Sequence, residues 1–250
     1  MLHRLGKLLR RAESFLGSPA LECMFCRSIV KQYGLPNLQL CRSCAQSIPW
    51  IERAVCPHCG RPEQCGDCAR RKQSFLLGSR SAVKYDANMK QWLAAYKYRR
   101  DERLGHLLAS MLYMAYKRNE AIYRNTGELH GVTYVPVSGE RLEERGFNQA
   151  EQLALRFAAM ASVPVVPLLA RNRNTARQSY KSRAERLSDL RDAFAIDDEG
   201  MKFLLKKRAH LPMNILIIDD VYTTGSTLHH CAQQITSHVQ ANMYGLTWAR

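Results

Sequence analysis

Two hydrophobic periods share this chain. Leu104, Leu107, Leu108, Met111, Leu112 and Ala115 recur three and four positions apart, which predicts an amphipathic helix over Arg103–Arg118. Ile215 to Ile218 is instead an unbroken apolar run rich in β-branched residues, the signature of a strand buried on both faces of a parallel sheet. By the same criteria Phe75–Tyr85 reads as extended and Met89–Tyr98 as helical. Val132–Val137 reads as a strand, Asn148–Ala161 as a helix and Pro164–Leu169 as a strand. Ile215–Asp219 is the strand of the apolar run, Ser226–Val239 is a helix, and Met243–Trp248 is a last strand. Such alternation predicts an α/β fold, a mostly parallel sheet with helices on both faces.

The first 20 residues differ. Leu2, Leu5, Leu9 and Leu16 fall at helical spacing among Arg4, Lys7, Arg10 and Arg11, predicting a leader helix packed on its own protein. A membrane-surface helix is the other reading of that pattern. No stretch approaches a membrane span. The basic N-terminus lacks the apolar core and small-residue cleavage site of a secretory signal, which argues against export by that route.

Composition places the chain among globular proteins. Of 250 residues, 46% are hydrophobic and 24% charged, which excludes a disordered tail or a collagen. The formal net charge is +15, from 37 Lys and Arg against 22 Asp and Glu. Such an excess calls for an anionic partner: nucleic acid, a phosphorylated small molecule or an acidic membrane surface. Residues 171–191 alone hold seven basic residues against two acids. The bland reading is a solvated face or mobile loop. A lid over a phosphorylated ligand and a phosphate-backbone contact are the functional readings, and both stay open.

Eight of the nine cysteines form four C-x-x-C pairs: Cys23/Cys26, Cys41/Cys44, Cys56/Cys59 and Cys65/Cys68. A two-residue gap lets both thiolates turn to one ion, and two pairs complete a tetrahedral site, so the set predicts two structural zinc ions with no open catalytic position. A disulfide framework would need an exported chain. Pairing in sequence order is favoured, although joining the first pair to the third stays open because the second site closes over a short loop. His58 is expected to be exposed, and Cys231 to be a buried inert thiol. The organisation is thus a leader over 1–20, a double zinc ribbon over 21–72 and an α/β domain over 73–250.

The segment Asn214–Leu228, NILIIDDVYTTGSTL, carries the clearest chemistry. A buried strand ends in Asp219 and Asp220, then runs through a polar loop into a helix. Ligands of open α/β sheets sit beyond the carboxyl ends of strands. Thr223, Thr224, Gly225, Ser226 and Thr227 can wrap a phosphate at a helix N-terminus. Two carboxylates there suit sugar hydroxyls or a hard cation such as Mg²⁺. The P-loop pattern is absent.

This segment resembles the phosphoribosyl-pyrophosphate (PRPP) motif of type I phosphoribosyltransferases. Tyr134–Ala154, containing R-G-F-N-Q, resembles the corresponding segment of the ComF family. Tyr96–Gly105 resembles that family's K-Y-R-G-D-like patch, with Arg100 in place of the usual glycine. Arg171–Phe194 resembles its mobile-loop region, making Gln178, Arg183 and Arg186 mobile-loop candidates. The cysteine-rich front end is also similar. The resemblance implies PRPP with its 5′-phosphate in the Thr223–Thr227 loop and its ribose on Asp219 and Asp220, directly or through Mg²⁺. The pyrophosphate would face Val137, Ser138, Arg141 and Arg145. It further implies a cytosolic role in natural transformation beside other competence proteins, with single-stranded DNA as a candidate contact. An active phosphoribosyltransferase of nucleotide metabolism is the alternative. A zinc-ribbon adaptor whose C-terminal fold binds no ligand is a third reading. No acceptor pocket or catalytic group can be read from the residues.

Overall fold

The computed structural model describes residues 20–71, 73–98, 101–171, 193–206 and 212–250. The expected leader helix, Arg100, Gln178, Arg183 and Arg186 lie outside the described residues. The chain divides into two units, residues 1–48 and 49–250.

In the smaller unit, strands β1 (Leu21–Glu22) and β2 (Ile29–Val30) pair antiparallel, and a 3-10 turn over Pro36–Leu38 leads to helix α1 (Arg42–Gln46). The larger unit begins with the second cysteine segment, which contains only the four-residue helix α2 (Gly66–Ala69). Strand β3 (Gly78–Val83) and helices α3 (Ala87–Tyr98), α4 (Glu102–Arg118) and α5 (Glu120–Tyr123) follow. Next come β4 (Gly131–Tyr134), α6 (Gly139–Arg145), α7 (Gln149–Ala161), β5 (Leu169–Arg171), β6 (Phe194–Ile196) and α8 (Asp198–Lys206). The chain closes with β7 (Met213–Val221), α9 (Ser226–Thr236) and β8 (Ala241–Ala249).

Four strands form one sheet in the order β3-β8-β7-β4, and every neighbouring pair is parallel. This is the α/β architecture that the alternating periods predict. The apolar run is central: Ile215, Leu216, Ile217 and Ile218 are all buried. Side chains alternate along a strand, so its residues serve two cores. Ile215 and Ile217 share one core with Leu228, Cys231 and Ile235 of α9. The opposite face is covered by α4 and α7, which pack on the sheet and on each other. There Trp248 Nε1 donates to Met111 Sδ at 3.4 Å. All six residues of the predicted α4 stripe are buried.

One expected strand is different. Pro164–Leu169 does not join the sheet as a continuous strand. Val165 makes an isolated parallel bridge to Val132, and the chain then turns into β5, which pairs antiparallel with β6. Pro164 and Pro167 lack the N–H groups a ladder needs, which accounts for the interruption. Helix α6 carries no apolar stripe in GERLEER, so periodicity gave no sign of it. It lies between Ser138 at its N-cap and Gly146, which ends it at φ 78°.

Candidate functional site

The site lies at the carboxyl edge of the sheet. Tyr134 pairs with Ile218, and the next N–H, of Val135, donates to Ile218 O at 3.1 Å. The loop leaving β4 therefore emerges beside the Asp219–Asp220 tip of β7. Alternation sends the two acids to opposite faces. Asp220 meets Lys97 near the end of α3, with Nζ 2.5 Å from Oδ2. Asp219 follows Ile215 and Ile217 toward the α9 face. Its Oδ1 accepts the Asp220 N–H at 2.8 Å.

Burial pushes the Asp219 carboxyl well above the usual range, and the Asp220 charge adds to it. The Asp220 N–H, Lys97 and Arg141 act in the opposite direction. Arg141, an exposed residue of α6, is thus brought within electrostatic reach of Asp219. Its charge also lowers Arg171 at the end of β5, second to that residue's own burial. Val137 and Ser138 lie half-buried in the short segment between β4 and α6. Arg145 lies elsewhere: it donates to Gln149 Oε1 at 2.7 Å and sits over the Tyr98 ring at 5.7 Å. With Tyr96, Phe147 and Arg156 it lines a cavity of about 300 Å³. The R-G-F-N-Q segment also has a local structural task, because Asn148 caps α7 by accepting from Ala150 and Glu151 N–H groups.

After β7 the Tyr222 N–H still pairs with Ala249 O, at 2.8 Å, and the chain then leaves the sheet. Thr223 and Thr224 are exposed, and Ser226 and Thr227 half-exposed. Gly225 caps α9 at φ 79°, and a Cβ there would meet Tyr222 Oη at 2.1 Å. Only glycine suits both the left-handed backbone and that space. Thr224 Oγ1 and Ser226 Oγ are 2.8 Å apart. The Ser226 N–H also donates to Thr224 Oγ1 at 3.4 Å, so this hydroxyl pair closes the turn at the N-terminus of α9, the end of a helix that favours negative charge.

The cysteines form two clusters in sequence order. Cys23, Cys26, Cys41 and Cys44 make one, and Cys56, Cys59, Cys65 and Cys68 the other, with all four sulfurs of each within 4.8 Å of one another. The interleaved alternative is not adopted. Tight turns aim the pairs: Arg27 at φ 63° and Gly60 at φ 70° each follow a C-x-x-C, and their N–H groups return to Cys23 O and Cys56 O. Cys41 N–H donates to Cys23 Sγ at 3.3 Å, and Cys44 N–H to Cys41 Sγ at 3.4 Å, which suits sulfur carrying charge. Metal–sulfur bonds of about 2.3 Å in a tetrahedron require sulfurs about 3.8 Å apart. Cys26 and Cys41 are 3.8 Å apart and Cys59 and Cys65 3.5 Å. Burial and then the crowding of neighbouring thiols push Cys44 and Cys68 upward, a cost that a central divalent cation reverses. Both clusters therefore fit a structural metal ion. His58 is exposed and belongs to neither, and Cys231 is fully buried in α9.

The second cluster folds into the larger unit. Cys56 and Cys59 are buried in the same core as Tyr222 and Leu228. Sequence reasoning did not single out Lys97 or Arg71, whose Nη2 donates to Thr224 O at 2.8 Å. The Lys97 signal lay in the quoted K-Y-R patch, but its partner is more than a hundred positions away.

No protein-family model matches the chain. It is 34% identical over 208 residues to the competence protein ComFC of Bacillus subtilis (strain 168), covering 79% of this chain and 78% of that protein. It is 30% identical over 194 residues to the competence protein ComFC of Streptococcus pneumoniae, covering 76% and 78%. The DNA utilization protein YhgH of Escherichia coli (strain K12) is 25% identical over 224 residues, covering 84% and 88%.

Proposed function

This chain belongs to the ComF family, and from that premise we propose that it is a PRPP-binding, phosphoribosyltransferase-like protein acting in DNA uptake. The family's competence proteins support the role in DNA uptake. The ligand reading rests above all on one observation: a central strand tipped by Asp219 and Asp220 runs into a glycine-capped hydroxyl loop, with Arg141 within electrostatic reach of Asp219. In this reading Thr223, Thr224, Ser226, Thr227 and the Gly225 N–H receive the 5′-phosphate. Asp219 and Asp220 accept from the ribose hydroxyls. Val137, Ser138 and Arg141 face the pyrophosphate, while Arg145, engaged with Gln149 and Tyr98, is left out of this reading.

Mg²⁺ bound with PRPP neutralises pyrophosphate charge. The chain's own part is positioning and charge. Arg141 stabilises negative charge as it gathers on a departing pyrophosphate, and the carboxylates stabilise positive character on the ribose. No protein nucleophile is needed. Both cysteine clusters hold zinc as closed structural sites. Among the described residues no helix is long and apolar enough to cross a membrane. The protein works in the cytoplasm, where single-stranded DNA and other competence proteins are its candidate partners.

Calorimetry tests the ligand reading. Mg²⁺–PRPP should release saturable heat with wild type and none with Asp219→Asn/Asp220→Asn. Absence of heat with wild type, or equal heat with the variant, overturns it.

A further inference from the structure

The loop that would hold the phosphate is tied to the second cysteine cluster. Arg71 lies three residues after Cys68, and its N–H donates to Cys68 O at 3.2 Å. Its side chain crosses to Thr224 O at 2.8 Å. Two further ties run in parallel. Phe75 N–H donates to His229 Nδ1 on α9 at 3.3 Å. Arg250 Nη1 donates to Cys59 O while its guanidinium lies 4.8 Å from the centre of the Tyr222 ring. Cys68, Arg71, Tyr222 and His229 line one cavity of about 90 Å³.

The Arg71 contact has a geometric consequence. A trans peptide is planar, with its C=O and N–H pointing in opposite directions. Holding Thr224 O on one side therefore aims the Gly225 N–H to the other. Gly225 is the residue at which the loop enters α9, and glycine's freedom makes the Thr224–Gly225 peptide the easiest in the loop to flip. A flipped peptide would present a carbonyl oxygen to an anion where an N–H is needed.

We propose that Arg71 is a positioning residue of the Thr223–Thr227 loop, and that the Cys56–Cys68 cluster holds it in place, so that metal binding and anion binding are coupled. The segment carrying Arg71 has little regular structure besides α2, and its shape is set by the four ligands. Loss of the ion frees the guanidinium, and with it the Thr224–Gly225 peptide. Coupling is reciprocal, so an anion in the loop must also tighten the binding of that ion. The anion part of this inference rests on the phosphate-binding reading above; the loop-ordering part does not.

The test uses the full chain with its metals retained. Amide hydrogen exchange over residues 222–228 is measured without ligand for wild type, Arg71→Ala and Arg71→Lys, at equal metal content. Mg²⁺–PRPP affinity is measured on the same samples. Arg71→Ala should exchange faster at the loop and bind at least tenfold more weakly. Arg71→Lys, which keeps a cationic donor, should recover part of both. At equilibrium a zinc-selective chelator should need a higher concentration to remove the second ion when Mg²⁺–PRPP is present. Unchanged loop exchange in Arg71→Ala overturns the inference whether or not the protein binds PRPP. If wild type binds PRPP, equal affinity in Arg71→Ala overturns it as well. Failure of wild type to bind PRPP sinks the ligand reading alone.

Discussion

Asp219→Asn should stabilise the ligand-free protein while disabling its site. The substitution is nearly isosteric and keeps the Oδ1 that accepts the Asp220 N–H at 2.8 Å. It removes a carboxylate whose ionisation is opposed first by burial and then by the adjacent Asp220 charge. A group raised above its unfolded value contributes stability that is present at low pH and lost as pH rises through its folded value. At pH 7 wild type has therefore lost stability that the amide keeps. Relief of such a strained functional charge commonly returns about 0.5–2 kcal/mol. For a unit of this size each kcal/mol moves Tm by about 2–4 °C, so the expected gain is about 1–8 °C. Scanning calorimetry of both proteins from pH 4 to pH 8 checks it. The gain should be largest at the alkaline end and shrink toward pH 4. A lower Tm for Asp219→Asn at pH 7, or a gain independent of pH, would refute the reasoning.

Other outcomes follow from the same geometry. Lys97→Ala leaves Asp220 without its 2.5 Å partner and withdraws a charge that favours ionised Asp219, so it should lower Tm at pH 7 by a few degrees in thermal melts. Gly225→Ala forces a side chain into φ 79° and onto Tyr222, which should cost about 1–3 kcal/mol in urea titrations and weaken anion binding. His229 is held neutral to about pH 4 by burial and then by the Arg71 and His230 charges. The unfolded chain takes up that proton near pH 6.5 and the native state does not, so urea titrations should show stability falling between about pH 6.5 and pH 4. About 3 kcal/mol of that fall should be absent in His229→Gln. Elemental analysis should find two zinc ions per chain. Cys56→Ser should lower the melting temperature of the larger unit, which contains that cluster.

The central strand and the cysteine pairs were legible because their signals are local. Four consecutive apolar residues ending in two acids can hardly be placed anywhere but a buried strand tip. Two-residue cysteine gaps fix ligand geometry without reference to the rest of the fold. The α4 stripe was legible for the same reason. What escaped was set by tertiary structure. Nothing near Lys97 announces that it meets Asp220, and nothing near Arg71 announces Thr224. The opposite facing of Asp219 and Asp220 follows from strand alternation, yet its meaning depends on α3 lying on one side and α9 on the other. Pro164–Leu169 reads as a strand from its apolar residues, yet its two prolines break the ladder and leave only the Val165 bridge.

Phosphorus NMR of Mg²⁺–PRPP tests the central claim most directly, because the 5′-phosphate and the pyrophosphate give separate resonances. With wild-type protein both sets should broaden and shift together, and both should return to their free positions with Asp219→Asn/Asp220→Asn. Resonances left unchanged by excess wild-type protein would contradict the account.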